Sequence, residues 1–142
     1  ITLHVGRGTF SPVREKDIKK HTMHKEWFSA SSSACLILNK YRKEEKAITA
    51  VGTTTLRVLE TIYNPAKKLY IPKKGETSIF IYPPKSVKSC DNLLTNFHLP
   101  KSTLLMLVCA FGGYDVIMKA YKEALKTNYR FYSYGDAMLI LR

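Results

Sequence analysis

The sequence has few acidic residues, few cysteines and no long apolar run. No stretch approaches the roughly 20 consecutive apolar residues that a membrane-spanning helix requires, so we do not expect a membrane protein. The three cysteines, Cys35, Cys90 and Cys109, are odd in number and widely spaced. This pattern fits neither a disulfide framework nor a zinc motif. We therefore expect reduced thiols and a cytoplasmic location.

The shortage of acidic residues leaves a large positive charge. Against 11 Asp and Glu stand 23 Lys and Arg, which gives a formal net charge of +12. Such a charge favours partners that carry many phosphates, and a generally basic surface is the alternative. The basic residues cluster in Lys16–Lys25, Lys40–Lys46 and Lys67–Lys88. The last cluster includes Tyr70 and Tyr82, which suits either an RNA-contacting surface or a solvated loop.

The length of 142 residues and the ordinary apolar content predict a single domain, residues 1–142, with its own core. The opening residues alternate like a strand and lack the pattern of a signal peptide. They also lack an initiator Met. We expect either a piece of a longer chain or a trimmed one.

Apolar periodicity predicts strands that alternate with helices. This order favours the α/β class, with a mostly parallel or mixed sheet flanked by helices. The strand with the strongest pattern is "TSIFIYP". The other predicted strands are Thr2–Val5, Met23–Ala30, Lys46–Val51, Asn92–Phe97 and a last one within Arg130–Leu141.

Four helices are predicted from caps and 3.6-residue periodicity. Serines 31–33 offer an N-cap, and the residues "LRVLETIY" and 101–111 form the second and third helices. Gly112 and Gly113 are expected to end the third helix. The first helix is expected to bury Ala34, Ile37, Leu38 and Tyr41, and the fourth to bury Val116, Ile117, Ala120, Tyr121, Ala124 and Leu125.

The segment "AVGTTTLRVLE" joins a strand to a helix through Gly52 and Thr53–Thr55. Free amides at a helix start favour a carboxylate, a phosphate or a ribose, and Gly52 permits close approach. Simple capping by threonine is the alternative. We expect Arg57 and Glu60 to form a surface pair at i,i+3 spacing.

The segment "HTMHKEW" places His21, His24 and Glu26 within six residues. In a strand, His24 and Glu26 lie on the same face, and a carboxylate beside an imidazole suits proton transfer near neutral pH. A polar surface strand is one alternative. A metal site is another, although the spacing matches no established zinc signature.

The segment "TNFHLPKST" joins another strand to a helix. Asn96 and His98 point to one side if the chain is extended there, and Pro100 suits the helix start. Ser102 or Thr103 is expected to cap the helix. The lone histidine is either structural or catalytic.

Five segments then carry a resemblance to a known family. They are "HVGRGTF", "HTMHKEWF", "AVGTTTLRVLE", "TNFHLPKSTLLMLVCAFGG" and "YRFYSYGDAMLI", in this order. Together they closely resemble the S-adenosylmethionine:tRNA ribosyltransferase-isomerase family of queuosine biosynthesis. The resemblance covers almost the whole chain but only about the C-terminal half of the family's usual length. The family's N-terminal part, with its inserted β-barrel domain, is not in this sequence.

The resemblance implies a tRNA-modifying transferase. Such an enzyme moves the ribosyl group of S-adenosylmethionine onto 7-aminomethyl-7-deazaguanine in the anticodon region of a tRNA. The product is epoxyqueuosine-tRNA, and adenine and methionine are released. S-adenosylmethionine is a co-substrate, and no permanently bound cofactor or metal is implied.

The resemblance also suggests roles for particular residues. Acid–base catalysis falls to His24 with Glu26, or to His98. The predicted contacts to the donor are Gly6, Gly8, Thr9, Gly52, Thr53, Thr54, Arg57, Asn96, Ser102 and Thr103. The predicted contacts to tRNA are Lys85, Lys88 and Arg130.

Because much of the family's length is missing, the expected partners include a separate N-terminal half or a second copy of the chain. The alternative to an enzyme is an inactive or partner-dependent RNA-binding fragment of the same fold.

Overall fold

The structure, a computed structural model, describes residues 1–6, 13 and 17–142. Over these residues the chain forms four α-helices and eight β-strands. The helices are α1 (Ser32–Lys43), α2 (Thr53–Ile62), α3 (Thr103–Gly112) and α4 (Tyr114–Lys126). The strands are β1 (Thr2–Leu3), β2 (Glu26–Ala30), β3 (Thr49–Val51), β4 (Tyr63–Asn64), β5 (Leu69–Tyr70), β6 (Lys73–Thr77), β7 (Asn92–Asn96) and β8 (Ala137–Leu141).

The strands of the described residues form two three-stranded sheets and one hairpin. In the mixed sheet, β7 lies between β3, which runs parallel to it, and β8, which runs antiparallel. In the antiparallel sheet, β2 lies between β1 and β6. The hairpin is formed by β4 and β5. The predicted α/β class with a mixed sheet is confirmed, and within the described residues β3 and β7 form the parallel pair.

The predicted strand "TSIFIYP" is wrong. The strand in this region is β6, which ends at Thr77, and residues 78–82 form no ladder in the structure. Ile81 is nevertheless buried in the core. A run of β-branched and aromatic residues becomes a strand only where a partner strand is available, because propensity mostly reflects packing on a sheet. Here β2 pairs with the polar residues that precede the run.

In two helices, α1 and α4, the buried face differs from the predicted one. Helix α1 begins as predicted, because the Ser31 hydroxyl accepts a hydrogen bond from the Ala34 amide. It buries Cys35, whereas Ile37 and Tyr41 are exposed. Helix α4 buries Ile117, Tyr121 and Ala124, whereas Val116, Ala120 and Leu125 are exposed. Both helices have apolar residues on adjacent faces, so periodicity alone does not decide which face packs.

The core lies between the sheets and α2 and α3. Its largest fully buried apolar side chains include Phe28, Leu56, Leu93, Leu107 and Ile117. The three cysteines are buried and unpaired, as expected, and burial raises the pKa of each thiol. These thiols are therefore protonated packing groups at neutral pH.

No single helix in the described part of the chain has the length and apolar character of a membrane span. Helices α3 and α4 reach that length only as a pair, and they are bent by 116° relative to each other.

A buried ion pair connects the antiparallel sheet to α2. Arg57 Nη1 lies 2.5 Å from Glu26 Oε2, and both side chains are at most 2% exposed. Glu26 Oε1 also accepts a hydrogen bond from the Gly6 amide. Burial lowers the pKa of the Arg57 guanidinium, and attraction to the Glu26 carboxylate opposes that shift. The pair fixes the position of α2 relative to β2.

A loop of residues 129–136 lies against the end of β7. The Asp136 carboxylate accepts a hydrogen bond from the Arg130 amide at 2.7 Å, and the Tyr132 amide donates to the Phe97 carbonyl at 2.9 Å. At Gly135, an added Cβ would lie 2.3 Å from the Arg130 carbonyl oxygen. The loop conformation therefore requires glycine at this position.

The first prediction concerns the buried ion pair. Arg57→Met breaks the buried ion pair by removing the guanidinium that contacts the Glu26 carboxylate, which should cost about 3–5 kcal/mol of unfolding free energy. Urea denaturation followed by circular dichroism measures this loss. The matched control is Lys25→Met, which removes an exposed pair with Glu76 and should change stability by less than about 0.5 kcal/mol. Equal stability of the two variants would contradict the role assigned to the pair.

The second prediction concerns the loop. Gly135→Ala forces the methyl group against backbone oxygens, so we expect a loss of about 1–3 kcal/mol, typical of overpacking. Ser133→Ala, at an exposed position of the same loop, is the control and should be near neutral. Thermal unfolding of both variants provides the measurement. A Gly135→Ala protein as stable as the control would show that the loop can adopt a different conformation at no cost.

Candidate functional site

Two of the predicted joints meet at one edge of the mixed sheet. We call this the carboxyl edge, because the parallel strands β3 and β7 both end there. Gly52 follows β3, and its amide donates to the Leu94 carbonyl of β7 at 2.8 Å. Asn96 is the last residue of β7. The carboxyl ends of parallel strands are a common position for ligand sites in α/β proteins.

The start of α2 has no side-chain cap among the described residues. Gly52 is the N-cap residue and has φ +86°, in the left-handed region that favours glycine. The alternative prediction, that a threonine caps α2, is therefore wrong. The first amides of α2, at Thr53 and Thr54, are left to bind an anionic or polar group. Thr53 itself is buried, and Thr54 is partly exposed.

His98 lies two residues beyond the end of β7 and is held at two points. Its amide donates to the Tyr121 hydroxyl at 2.7 Å, and its Nε2 lies 2.8 Å from the Thr95 hydroxyl. Burial lowers the pKa of His98 to about 4. The imidazole is therefore neutral at pH 7, because removing the charged form from water is unfavourable.

Two other predicted residues at this edge, Asn96 and Ser102, hold the local structure. The Asn96 amide group donates to the carbonyls of Gly135 and Asp136, both at 3.3 Å. The Ser102 hydroxyl accepts from the Leu105 amide, which confirms Ser102 as the cap of α3. Ser102 and Thr103 are both buried.

The predicted surface pair of Arg57 with Glu60 is wrong. Arg57 bonds Glu26, which is 31 residues away in the sequence, and the Glu60 carboxylate accepts from the amides of Lys88 and Ser89. Sequence spacing identifies neighbours on one helix but not a partner on a distant strand. Gly6, Glu26 and Arg57 form a second, buried group of predicted site residues.

His24 lies outside that buried group. It is exposed, two residues before Glu26, while the Glu26 carboxylate is buried against Arg57. His21 packs its ring against Phe80 at 5.3 Å. Among the described residues, no three His, Cys, Asp or Glu side chains are grouped closely enough to hold a metal ion. Gly8 and Thr9 lie outside the described residues.

Helix α2 connects the two groups. Gly52 precedes its first turn, and Arg57 follows five residues later, which corresponds to about 7.5 Å along the axis at 1.5 Å per residue. The sequence missed the two side chains that hold His98. Thr95 is three residues away, so a local signal existed, but Tyr121 is 23 residues away and only folding brings it to His98.

The predicted tRNA contacts are separated in the structure. Lys85, Lys88 and Arg130 are all exposed. Arg130 lies in the loop beside the carboxyl edge, where it is paired with Asp136 at 3.4 Å. Lys88 instead lines a cleft beside Asp91, the residue that precedes β7. The three residues therefore do not form one compact patch.

Comparison with known proteins places these residues in a family. The model of the family described as queuosine biosynthesis protein matches residues 1–140. The chain is 55% identical over 140 residues to S-adenosylmethionine:tRNA ribosyltransferase-isomerase of Coxiella burnetii (strain CbuG_Q212), covering 99% of this chain and 40% of that relative. It is 52% identical over 142 residues to the protein of the same name from Thermotoga petrophila, covering 99% of this chain and 42% of that relative.

A solved structure agrees with the sequence comparisons. It is the crystal structure of S-adenosylmethionine tRNA ribosyltransferase from Thermotoga maritima, with a TM-score of 0.71 and 51% sequence identity. The likeness covers 82% of this chain and 41% of that chain. The chain thus spans about two fifths of the length of the relatives it matches. The resemblance noted in the sequence is confirmed, and the chain belongs to the queuosine biosynthesis protein family.

Proposed function

We propose that this chain forms part of a transferase that uses S-adenosylmethionine as a ribosyl donor to a modified guanine in tRNA. The acceptor is 7-aminomethyl-7-deazaguanine in the anticodon region, and the products are epoxyqueuosine-tRNA, adenine and methionine. Membership of the family and the names of relatives at 52–55% identity support this proposal. Since tRNA and the donor are both cytoplasmic, we place the reaction in the cytoplasm.

The reaction makes three chemical demands. A base removes a proton from the carbon beside the sulfonium, whose positive charge makes that proton acidic. An acid assists the departure of adenine. A polar pocket holds the methionyl carboxylate and the ribose. The donor is consumed at each turnover, so the scheme needs no permanently bound cofactor.

The observation that carries the proposal is the start of α2 at the carboxyl edge, which no side chain of the described residues caps. Amides at Thr53 and Thr54, together with the positive end of the helix dipole, suit a carboxylate. Asn96 ends the neighbouring strand, and its side-chain nitrogen donates to the Gly135 and Asp136 carbonyls, which leaves the side-chain oxygen to accept a hydrogen bond from a ribose hydroxyl. We assign the methionyl carboxylate to the α2 start and the sugar to the end of β7.

The two histidines suit different parts of the reaction. His98 is neutral at pH 7, so in the resting protein it accepts a proton or a hydrogen bond and does not donate the proton that departing adenine needs. His24 is exposed, so it is accessible to a substrate that approaches from solvent. We therefore assign the accepting role to His98 and leave proton donation to His24. The Glu26–Arg57 pair, with Gly6, positions β2 beside α2.

A partner-dependent RNA-binding fragment is the second candidate, and one observation favours it. The face of the mixed sheet that is turned away from α2 carries exposed apolar side chains, among them Val51 at 62% and Leu141 at 68% exposure. Sheets with parallel pairs are usually covered on both faces. The relatives are more than twice as long as this chain. We therefore expect catalysis to require the remaining part of the family's polypeptide.

The third prediction tests the activity. Incubation of the chain with S-adenosylmethionine and tRNA bearing 7-aminomethyl-7-deazaguanine should release adenine when the complementary part of a relative is supplied. His98→Gln should lower the rate by roughly 10²–10⁴-fold, as expected for loss of a proton-transfer group, while the circular dichroism spectrum is unchanged. Chromatography of free adenine provides the measurement.

The control for that experiment is His4→Gln, an exposed histidine that packs against Trp27 and is not assigned to the site. It should retain full activity. Full activity of His98→Gln would remove His98 from the mechanism. Absence of adenine in every combination, with tRNA still bound, would support the non-catalytic candidate.

The fourth prediction follows from the pKa of His98. The folded protein has a pKa of about 4, below the value of about 6.5 for an unfolded histidine, so protonation favours the unfolded chain. Stability from this group is complete above pH 6.5 and falls as the pH drops towards 4, by up to about 3 kcal/mol. His98→Gln should flatten the stability–pH curve in this range. Urea titrations at several pH values provide the measurement, and an unchanged curve for His98→Gln would contradict the buried neutral state.

A further inference from the structure

Two basic segments that are far apart in the sequence meet at the edge of the mixed sheet opposite the candidate site. We call this the amino edge, because β3 and β7 begin there. A cleft of about 1390 Å³ lies at this edge, lined by Ala47 before β3 and Asp91 before β7. The basic residues that line it are Lys40, Arg42, Lys43, Lys46, Lys68, Lys88 and Arg142. The fold thus joins the basic clusters of residues 40–46 and 67–88 into one concave surface.

A network of hydrogen bonds forms the floor of this amino-edge cleft. Arg42 donates from Nη1 to both carboxylate oxygens of Asp91, at 2.9 and 2.8 Å, and from Nη2 to the Ser89 carbonyl at 3.0 Å. Asp91 also accepts from the Ile48 amide at 2.8 Å. These hydrogen bonds hold the pKa of Asp91 below its usual range, although burial opposes the shift. Arg42 and Asp91 therefore neutralise each other at neutral pH.

Arg142 is fixed in the same way. Its Nη2 donates to the carbonyls of Val87 and Cys90, at 3.1 and 2.7 Å, and its guanidinium lies 4.2 Å from the Phe111 ring centroid. The guanidinium groups of Arg42 and Arg142 are thus both engaged in hydrogen bonds within the protein. The charge available to a ligand comes from the lysines of the rim.

The five rim lysines are exposed, and within the described part of the chain none forms an ion pair with a carboxylate. Lys40 and Lys43 lie in the last turn of α1, where a cation also stabilises the helix end. That explanation does not extend to Lys68, in the β4–β5 hairpin, or to Lys88. Glu44 and Glu45 are the other acidic residues of the lining, so positive charge remains in excess.

The shape and chemistry of the cleft suit a polymer of phosphates. Lysine is a strongly hydrated point charge that contacts phosphate without demanding a fixed geometry, which is typical of backbone contacts. The cleft is wide and open, and its rim lysines come from three separate segments. A single small anion would be reached by only some of them, whereas a nucleic acid backbone contacts all of them in succession.

We propose that the amino-edge cleft binds the phosphodiester backbone of the tRNA stem that flanks the modified nucleotide; this inference rests on the proposed function. Strand β7 has five residues, so the two edges of the sheet are about 16 Å apart at 3.3 Å per residue. When the modified nucleotide lies at the carboxyl edge, the cleft is therefore positioned to contact phosphates that are several nucleotides away from it. The cleft contributes affinity and orientation and does not recognise the base.

The fifth prediction tests this cleft with the chain and an unmodified tRNA transcript. The cleft variant is Lys40→Gln/Lys43→Gln/Lys68→Gln. The matched control is Lys119→Gln/Lys122→Gln/Lys126→Gln, which removes the same charge from exposed positions of α4, away from the cleft. Fluorescence anisotropy across a salt series measures the dissociation constant for each protein.

We expect the cleft variant to bind at least about tenfold more weakly near 0.1 M salt, and the slope of log K against log salt to fall by roughly 2–3, since each phosphate contact contributes about 0.7–0.9. The control should match the unaltered chain. Equal affinities and slopes for the two variants would overturn the proposal. Displacement of the transcript by micromolar inorganic phosphate would also overturn it, because it would indicate a small-anion site.

Adenine release separates this inference from the proposed function. If the complemented chain is active, the cleft variant should raise KM for tRNA and leave kcat nearly unchanged, because the lysines are distant from the carboxyl edge. If the KM of the cleft variant for tRNA is unchanged, the proposed role of the cleft is refuted, whereas the proposed function is retained. If the cleft variant binds RNA more weakly but no protein releases adenine, the proposed function is refuted, whereas the proposed role of the cleft is retained.

Discussion

The buried ion pair between Glu26 and Arg57 is the contact on which the arrangement of the candidate site depends. It ties the central strand of the antiparallel sheet to α2, and the start of α2 lies at the carboxyl edge of the mixed sheet. An unpaired charge in this environment is costly, so the two groups hold each other in place. Within the described residues, Arg57 Nε and Nη2 have no hydrogen-bond partner, which makes the remaining contact with Glu26 more important.

The mixed sheet offers different chemistry at its two edges. At the carboxyl edge, helix-start amides and the neutral His98 provide a weakly charged, partly buried setting that suits directed hydrogen bonds. At the amino edge, exposed lysines surround a neutralised Arg42–Asp91 floor. In the proposed reaction, separation by the length of β7 would keep the lysines away from the sulfonium of the donor, which they would repel. This division is consistent with one edge for chemistry and the other for a large anionic substrate.

The exposed apolar face of the mixed sheet agrees with the shortness of the chain relative to its family. Val51, Leu94, Leu139 and Leu141 lie on this face, whereas Ala50 and Leu93, on the opposite side, are completely buried. Val51, Leu139 and Leu141 are each more than half exposed, so the stability that their burial would provide is not realised in this chain. Supplying the remaining part of the family's polypeptide is therefore expected to change stability as well as activity.

Sequence alone determined the features whose partners are close along the chain. Ser31 and Ser102 cap helices through amides three residues later, and Gly113 ends α3 with a positive φ, so local spacing contains the whole interaction. The five long sequence motifs were sufficient to identify the family. Only the tertiary structure decided that "TSIFIYP" forms no strand, that Arg57 pairs with Glu26, that burial keeps His98 neutral, and that two lysine clusters share one cleft. Each of these depends on a partner strand, a charge or a solvent boundary contributed by residues far away in sequence, and local periodicity carries no information about them.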